Sequence, residues 1–274
     1  MGVLNSILGL IFDGFFAPFR ALGPWPGMIV VSLVTGIVML LIFKKTSNQD
    51  AIKRAKNQIK ARLLEIRLFK NDTGGSFRSQ AAILGANFRY MGHALRPMLV
   101  MFIPVLLILA QLNLRYGAAS LRPGEQALVK MTLAEGASAE ETATSLQSSD
   151  GVVVETPPLR IEEEREVDWR IRAEAPGLHL LTFNVGGTAV EKSVSVGQNA
   201  PAKVAALRAR TFMDLFLYPG EKPLPKNSPV SKIEIVFPPL RLPLFGGTVH
   251  WLVAFFVLSI VFGFALKGVF KVEI

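Results

Sequence analysis

The chain has no cysteine and few charges. Without cysteine, neither a disulfide scaffold nor a thiolate metal site can form, and redox chemistry leaves the compartment open. Asp, Glu, Lys and Arg make up only 19% of the 274 residues, below the quarter usual for soluble domains, while half the residues are apolar. Motifs that carry covalent chemistry are missing too. There is no glycine-rich phosphate loop, no nucleophile elbow and no paired-histidine metal motif. The three histidines, His93, His179 and His250, stand far apart without ligand spacing. No enzyme, cofactor or metal site is expected; His93 reads as a surface residue and His250 as part of an interfacial belt.

What the chain does have is long uncharged runs. "GMIVVSLVTGIVMLLIF" (27–43), "PMLVMFIPVLLILAQLNL" (97–114) and "VHWLVAFFVLSIVFGFAL" (249–266) contain no Asp, Glu, Lys or Arg. As helices each reaches about 26–27 Å, enough for a slightly thin hydrocarbon core. One such run could be a buried core helix, but three flanked by polar residues predict an α-helical integral membrane protein with three transmembrane helices.

Charge is distributed unevenly. Residues 44–96 hold twelve Lys and Arg against three Asp and Glu, which equals the net +9 of the whole chain, whereas residues 115–247 hold fifteen against sixteen. The basic segment is short enough for the positive-inside rule, and exporting nine net charges would cost roughly 20 kcal/mol per 100 mV at about 2.3 each. The expected topology follows: a multi-pass protein of the inner (cytoplasmic) membrane, N-terminus outside, residues 44–96 inside, residues 115–247 outside, and a short cytoplasmic tail at 267–274. Residues 1–24 lack a basic n-region, so no cleaved signal is expected there. Their apolar residues are interrupted by Asp13, Pro18 and Arg20, which predicts an interfacial amphipathic helix on the outer leaflet, with Trp25 at headgroup depth.

The basic segment carries helical periodicity. Ile52, Ile59 and Ile66 fall at heptad spacing, with Ala55, Arg62 and Phe69 in companion positions. The stretch "KNDTGGSFR" (70–78) supplies turn chemistry, and Leu84, Phe88, Met91 and Leu95 then form a second stripe. Two apolar stripes joined by a tight break predict a coiled-coil-like antiparallel helical hairpin over 44–96. Residues 115–200 read differently. "QALVKMTL", "GVVVETP", "REVDWRIRAEA", "LHLLTFNV" and "EKSVSVG" are short, β-branched and separated by Gly, Pro or Asp. In "VDWRIRA", Val167, Trp169 and Ile171 alternate with Asp168, Arg170 and Arg172, the pattern of a strand with one buried face. An extracytoplasmic, or periplasmic, β-sandwich-like domain is expected, followed by a proline-rich connector over 201–247 on the outer membrane surface. The cluster Glu162, Glu163, Glu164 and Glu166 reads as a solvated loop.

Polar groups inside the apolar runs are few: Ser32 and Thr35, then Gln111 and Asn113, then Ser259. Ser32 with Gly36, and Ser259 with Gly263, make small-xxx-small spacings that suit close helix approach. Pro104 is expected to bend the second span. No Arg or Lys lies within the first two runs, Arg96 and Arg115 bracketing the second.

The order of parts resembles the YidC/Oxa-type membrane protein insertase superfamily. The likeness is greatest to its three-span branch, such as the insertase subunit of the endoplasmic reticulum membrane complex. It covers residues 1–115 and 248–274, with "KRAKNQIKARLLEIRLFK" (53–70) as the most similar stretch. The connection between the second and third runs is longer here than in three-span relatives. The resemblance implies a groove between transmembrane helices, here drawing on Ser32, Thr35, Gln111 and Asn113. It also implies a receiving arm whose Lys53, Arg54, Lys56, Lys60, Arg62 and Arg67 contact clients. Partners would be membrane lipids, nascent or client membrane proteins and the ribosome; sequence-specific nucleic-acid binding is not expected. Two functions stand open: a membrane protein insertion or assembly factor, or a membrane-anchored envelope module whose β domain binds an envelope protein while the spans serve as anchor or complex subunit.

Overall fold

The computed structural model describes residues 2–68 and 73–273; some side chains within those ranges, including Arg62, Arg67 and His93, lie outside the described set. The chain divides into two compact units, one formed by residues 1–28 and 107–253, the other by 29–106 and 254–274.

The second unit is helical. Helix α1, Gly2–Phe16, belongs to the first unit; α2, Pro24–Thr46, supplies most of its length to the second, with α3, Gln49–Leu68, and α4, Thr73–Leu112, following. Proline at the first position of α2 fits the helix start, where an N–H has no partner, and Lys44 and Lys45 close its last turn against the negative end of the dipole. Asn48 caps α3, its side-chain oxygen accepting from the Ala51 N–H at 3.0 Å.

Two stretches, Pro24–Thr46 and Leu95–Gly117, are long and apolar enough to cross a membrane, a pattern compatible with a membrane protein carrying a separate β domain. The third expected span is an apolar helix of 16 residues, Trp251–Leu266, reaching about 24 Å.

The basic segment departs from the expected hairpin in two ways. The predicted break at 70–78 is narrower than read, because α4 begins at Thr73 and takes Gly74 and Gly75 into its first turn. The N–H groups there have no intrahelical partner in any case, so turn-forming residues cost little. Residues 69–72 lie outside the described residues. The boundary expected between arm and span at 96/97 is also absent: α4 runs through Pro97 and Pro104. Each proline deletes one hydrogen bond, to the carbonyls of His93 and Val100, yet the helix continues. Ile52 is buried, but Leu84, Phe88, Met91 and Leu95 are all exposed.

The first unit is built on antiparallel strands. They are β1 Gln126–Leu133, β2 Thr144–Ser148, β3 Val152–Val154, β4 Leu159–Ile161, β5 Glu166–Ala173, β6 Gly177–Val185, β7 Thr188–Val196, β8 Leu207–Ala209 and β9 Val230–Ile235; β10 Arg241–Leu244 and β11 Gly247–His250 form a separate hairpin ahead of the apolar helix. One sheet runs β3-β5-β1-β9-β8 with β4 beside β5, and the other runs β2-β6-β7. Alternation in β5 buries Val167, Trp169 and Ile171, and their counterparts on β6 are Leu181, Phe183 and Val185. Trp169 and Phe183 meet edge to face with ring centroids 5.6 Å apart.

The β domain extends past residue 200. The 201–247 segment, expected as a surface connector, inserts β9 between β1 and β8, and the short helix α5, Phe212–Leu217, follows β8. Glu221 ties the intervening loop to β7. Its carboxylate accepts from the Ser193 N–H at 2.8 Å and pairs at 2.5 Å with Lys192, whose side chain is wholly buried.

Asp168 sits on β5 opposite Lys130 and Leu159, with one carboxylate oxygen buried and unpartnered among the described residues. Burial, and then the negative charge of Glu166, push its carboxyl up to about 6, with Lys130 partly opposing the rise. A raised carboxyl favours the fold while protonated, so this contribution is full below the unfolded value near 4 and is lost as pH rises through about 6. Asp168→Asn is therefore expected to stabilise the β domain at pH 7 by on the order of 2 kcal/mol. It should also flatten the rise in midpoint expected of the full chain between pH 7 and pH 5, read by thermal unfolding.

Candidate functional site

In the helical unit, the helix Trp251–Leu266, here α6, faces α2 and α4 across a cavity of about 390 Å³, within the roughly 300–1,000 Å³ typical of ligand pockets. Its wall is apolar and soft. Met39 and Phe43 come from α2, Met98, Met101 and Val105 from α4, and Phe255, Phe256 and Phe264 from α6. Unbranched thioether side chains fill irregular gaps and re-pack around different shapes, which suits binding of more than one partner. Among the described residues, Thr35 and Ser259 are the two hydroxyl residues that line the cavity, and no charged side chain does. The Ser259 hydroxyl is buried with no hydrogen-bond partner among the described residues, as is that of Ser32. A buried hydroxyl without a partner is costly, so Ser259 marks a polar point in an otherwise apolar wall.

Close approach of two helices shapes one wall. A Cβ at Gly36 would stand 3.2 Å from the Ser259 carbonyl oxygen and 3.4 Å from the Gly263 nitrogen. The two small-xxx-small spacings thus meet, and any larger residue at Gly36 must push α2 from α6. On α4, Leu84, Phe88, Met91, Leu95, Met98 and Phe102 are all exposed. Their steps of four, three, four, three and four make one heptad seam that runs from the basic segment into the span, reaching the cavity at Met98.

The four residues expected to form a polar groove are divided between the two units. Thr35 lines the cavity, and Ser32, on the same helix, is buried outside that lining. Gln111 and Asn113 belong to the other unit, where they are already engaged. Gln111 accepts from the Arg115 guanidinium through its backbone oxygen at 3.0 Å and its side-chain oxygen at 2.9 Å. Asn113 packs against Gly117 so closely that a Cβ there would clash at 2.3 Å. Of the predicted contact residues on α3, Lys53, Arg54 and Lys60 are exposed, while Lys56 is half-buried and 3.5 Å from Glu273.

A buried charge cluster in the first unit escaped the sequence reading. Arg115 does not merely flank the second span. It is 1% exposed in a π-helical turn, Asn113–Gly117, and its guanidinium reaches Asp13 at 2.6 Å while lying 5.5 Å from the centre of the Phe16 ring. The second oxygen of Asp13 accepts from Lys203 at 2.5 Å. Burial pushes the Asp13 carboxyl up, but hydrogen bonds from Lys203 and Arg115 outweigh it and hold the group below its ordinary value. Tyr116, fully buried, donates to the Pro24 carbonyl at 3.1 Å and packs on Phe16 and over Gly27, where a Cβ would meet its hydroxyl at 2.8 Å. Together these contacts fasten α1 to the turn that ends α4. The sequence signals were slight: Gln111 and Arg115 at helical i,i+4 spacing, and one aspartate in an apolar helix, with Arg20 as its nearest cation in the sequence.

Set against family models, curated proteins and solved structures, the chain matches none of them.

Proposed function

We propose that the protein is a membrane protein insertion or assembly factor in which the cavity between α2, α4 and α6 receives an apolar client segment. The observation that carries this reading is the lining: three methionines and several phenylalanines around a volume of about 390 Å³, with Thr35 and Ser259 among the residues that form it. A client helix entering the bilayer with a few polar groups must bury them. A soft apolar wall with isolated hydroxyls lowers that cost without trapping the segment. The exposed heptad seam on α4 offers such a helix a continuous packing surface from the basic segment to the cavity. In this reading the basic segment lies in the cytoplasm, α6 crosses the bilayer as a third, short span that thins it locally, and Lys53, Arg54, Lys56, Lys60, Arg62 and Arg67 attract acidic clients or the ribosome.

Photocrosslinking tests it. A probe at Met101, on the cavity wall, is expected to capture newly made membrane proteins, whereas a probe at Val257, exposed on α6, is not. Ser259→Phe, which fills the cavity, should reduce capture about tenfold, a loss equivalent to about 1.4 kcal/mol. Adducts with lipid alone at Met101 would remove the reading.

A second reading is favoured by the β domain, where Leu178 and Leu180 both project outward from β6 at 71% and 46% exposure. Apolar residues paired on one strand face suit an envelope protein partner, with the spans as anchor. Capture of an envelope protein through Leu178, with no client adducts at Met101, would favour this alternative.

A further inference from the structure

A second concavity in the helical unit, of about 510 Å³, lies where α2 meets α3 and where the chain leaves α6. Four lysines line it, Lys53 and Lys56 from α3 and Lys267 and Lys271 from the segment after α6, against Asp50 and Glu273. We propose that this pocket binds the phosphate head group of an anionic phospholipid.

Depth is the first argument. Lys44 and Lys267 are the first charges after the apolar lengths of α2 and α6, so the pocket opens at the level where a bilayer presents its phosphates. Basic pockets at the ends of transmembrane helices bind anionic head groups, each lysine near the surface adding a comparable increment of affinity.

The walls are held in place. Lys44 donates to the Phe270 carbonyl at 2.8 Å, and the Glu273 N–H donates to the Gln49 side chain at 2.6 Å, so residues 267–273 are pinned to the α2–α3 junction. After α6 the chain turns sharply, with the Val272 N–H returning to the Lys267 carbonyl at 3.0 Å. That turn requires a left-handed backbone at Lys271, φ 50°, a conformation that glycine adopts freely and lysine does not. A residue with a Cβ and a positive charge stands at the glycine position, and its side chain lines the pocket. The Lys267 ammonium lies 5.2 Å from the centre of the Phe264 ring, which holds the cation at the boundary between apolar and polar layers. Lys56 is drawn to Glu273, while Lys53 and Lys271 have no ion-pair partner among the described residues. Those two are the cations placed to meet a phosphate.

This site is separate from the apolar cavity, and its test does not depend on client binding. The full chain, purified in detergent and exchanged into mixed vesicles of phosphatidylcholine and phosphatidylglycerol, is examined by native mass spectrometry for retained lipid. Wild type is expected to retain phosphatidylglycerol in preference to phosphatidylcholine. Lys53→Gln with Lys271→Gly, in which the second change relieves the backbone, should lower that retention about thirtyfold. The charge-matched pair Lys45→Gln with Arg96→Gln, neither residue lining the pocket, should leave it within about threefold of wild type. Equal losses in the two variants would reduce the effect to general surface charge and overturn the proposal. So would displacement of the lipid by millimolar inorganic phosphate alone, which would make the site one for free phosphate.

Discussion

Glu221→Ala is expected to destabilise the β domain by about 3–5 kcal/mol, because it removes one partner of a buried ion pair and leaves the other uncompensated. The Lys192 side chain has no exposed surface, and burial lowers its affinity for a proton while Glu221 opposes that drop. Without Glu221 the ammonium keeps only backbone carbonyls, those of Ser193 and Ala205. The same substitution also deprives the Ser193 N–H and hydroxyl of their acceptor. At roughly 2–4 °C per kcal/mol for a domain of this size, the midpoint should fall by about 6–20 °C. Lys192→Met should cost less, since Glu221 keeps some exposure and can hydrate, and Lys192→Met with Glu221→Leu should recover most of the loss. Thermal unfolding followed through Trp169, in the core between the sheets, reads all three. A Glu221→Ala midpoint within 2 °C of wild type would show that the 210–228 segment is not held by this pair.

That pair also explains why residues 201–247 were hard to read. Proline at 223, 225 and 229 argues locally for a loop, and the sequence around it gives the right local answer. What makes the segment part of the domain is long-range: β9 pairs with β1 and β8, and a strand's partner is not encoded in its own residues. By contrast the alternation in "VDWRIRA" marks the buried Val167, Trp169 and Ile171 and the exposed Arg170 and Arg172, and departs from its pattern only at Asp168, which is buried. The apolar lengths of α2 and α4 were equally plain, since uncharged runs of this length have few alternatives. The boundary at 96/97 follows the onset of the uncharged run, whereas the helix itself carries on through Pro97. Here proline removes single hydrogen bonds within a helix of 40 residues. Of the cavity, Thr35 and the small-residue spacings were visible in advance. The methionines were not, since Met98 and Met101 look like any apolar pair until α2 and α6 are seen to leave space beside them. Arg115 was legible only as a charge at a boundary, its partner Asp13 lying at the far end of the sequence.

Arg115→Lys is expected to behave almost as badly as Arg115→Met, each weakening the attachment of α1 by about 3–5 kcal/mol. Charge alone would predict that lysine is benign. Geometry predicts otherwise, because one guanidinium nitrogen serves both acceptors of Gln111 while another reaches Asp13. A planar fork can span that divergence and a single ammonium cannot. The guanidinium also lies over the faces of Phe12 and Phe16, a contact that lysine would not reproduce while reaching Asp13. Asp13 would not be stranded in either variant, since Lys203 stays at 2.5 Å and Arg20 at 4.0 Å. The loss should therefore localise to the π-helical turn and to the packing of Tyr116 against Phe16. Hydrogen exchange resolves this: amides of residues 12–16 and 112–117 should lose protection in both variants, while those of β5 and β6 keep theirs. A double-mutant cycle with Asp13→Asn should give a coupling above about 1.5 kcal/mol, the range of close buried charge pairs. Wild-type protection in Arg115→Lys would mean that the cluster works by net charge and that the fork has no structural role.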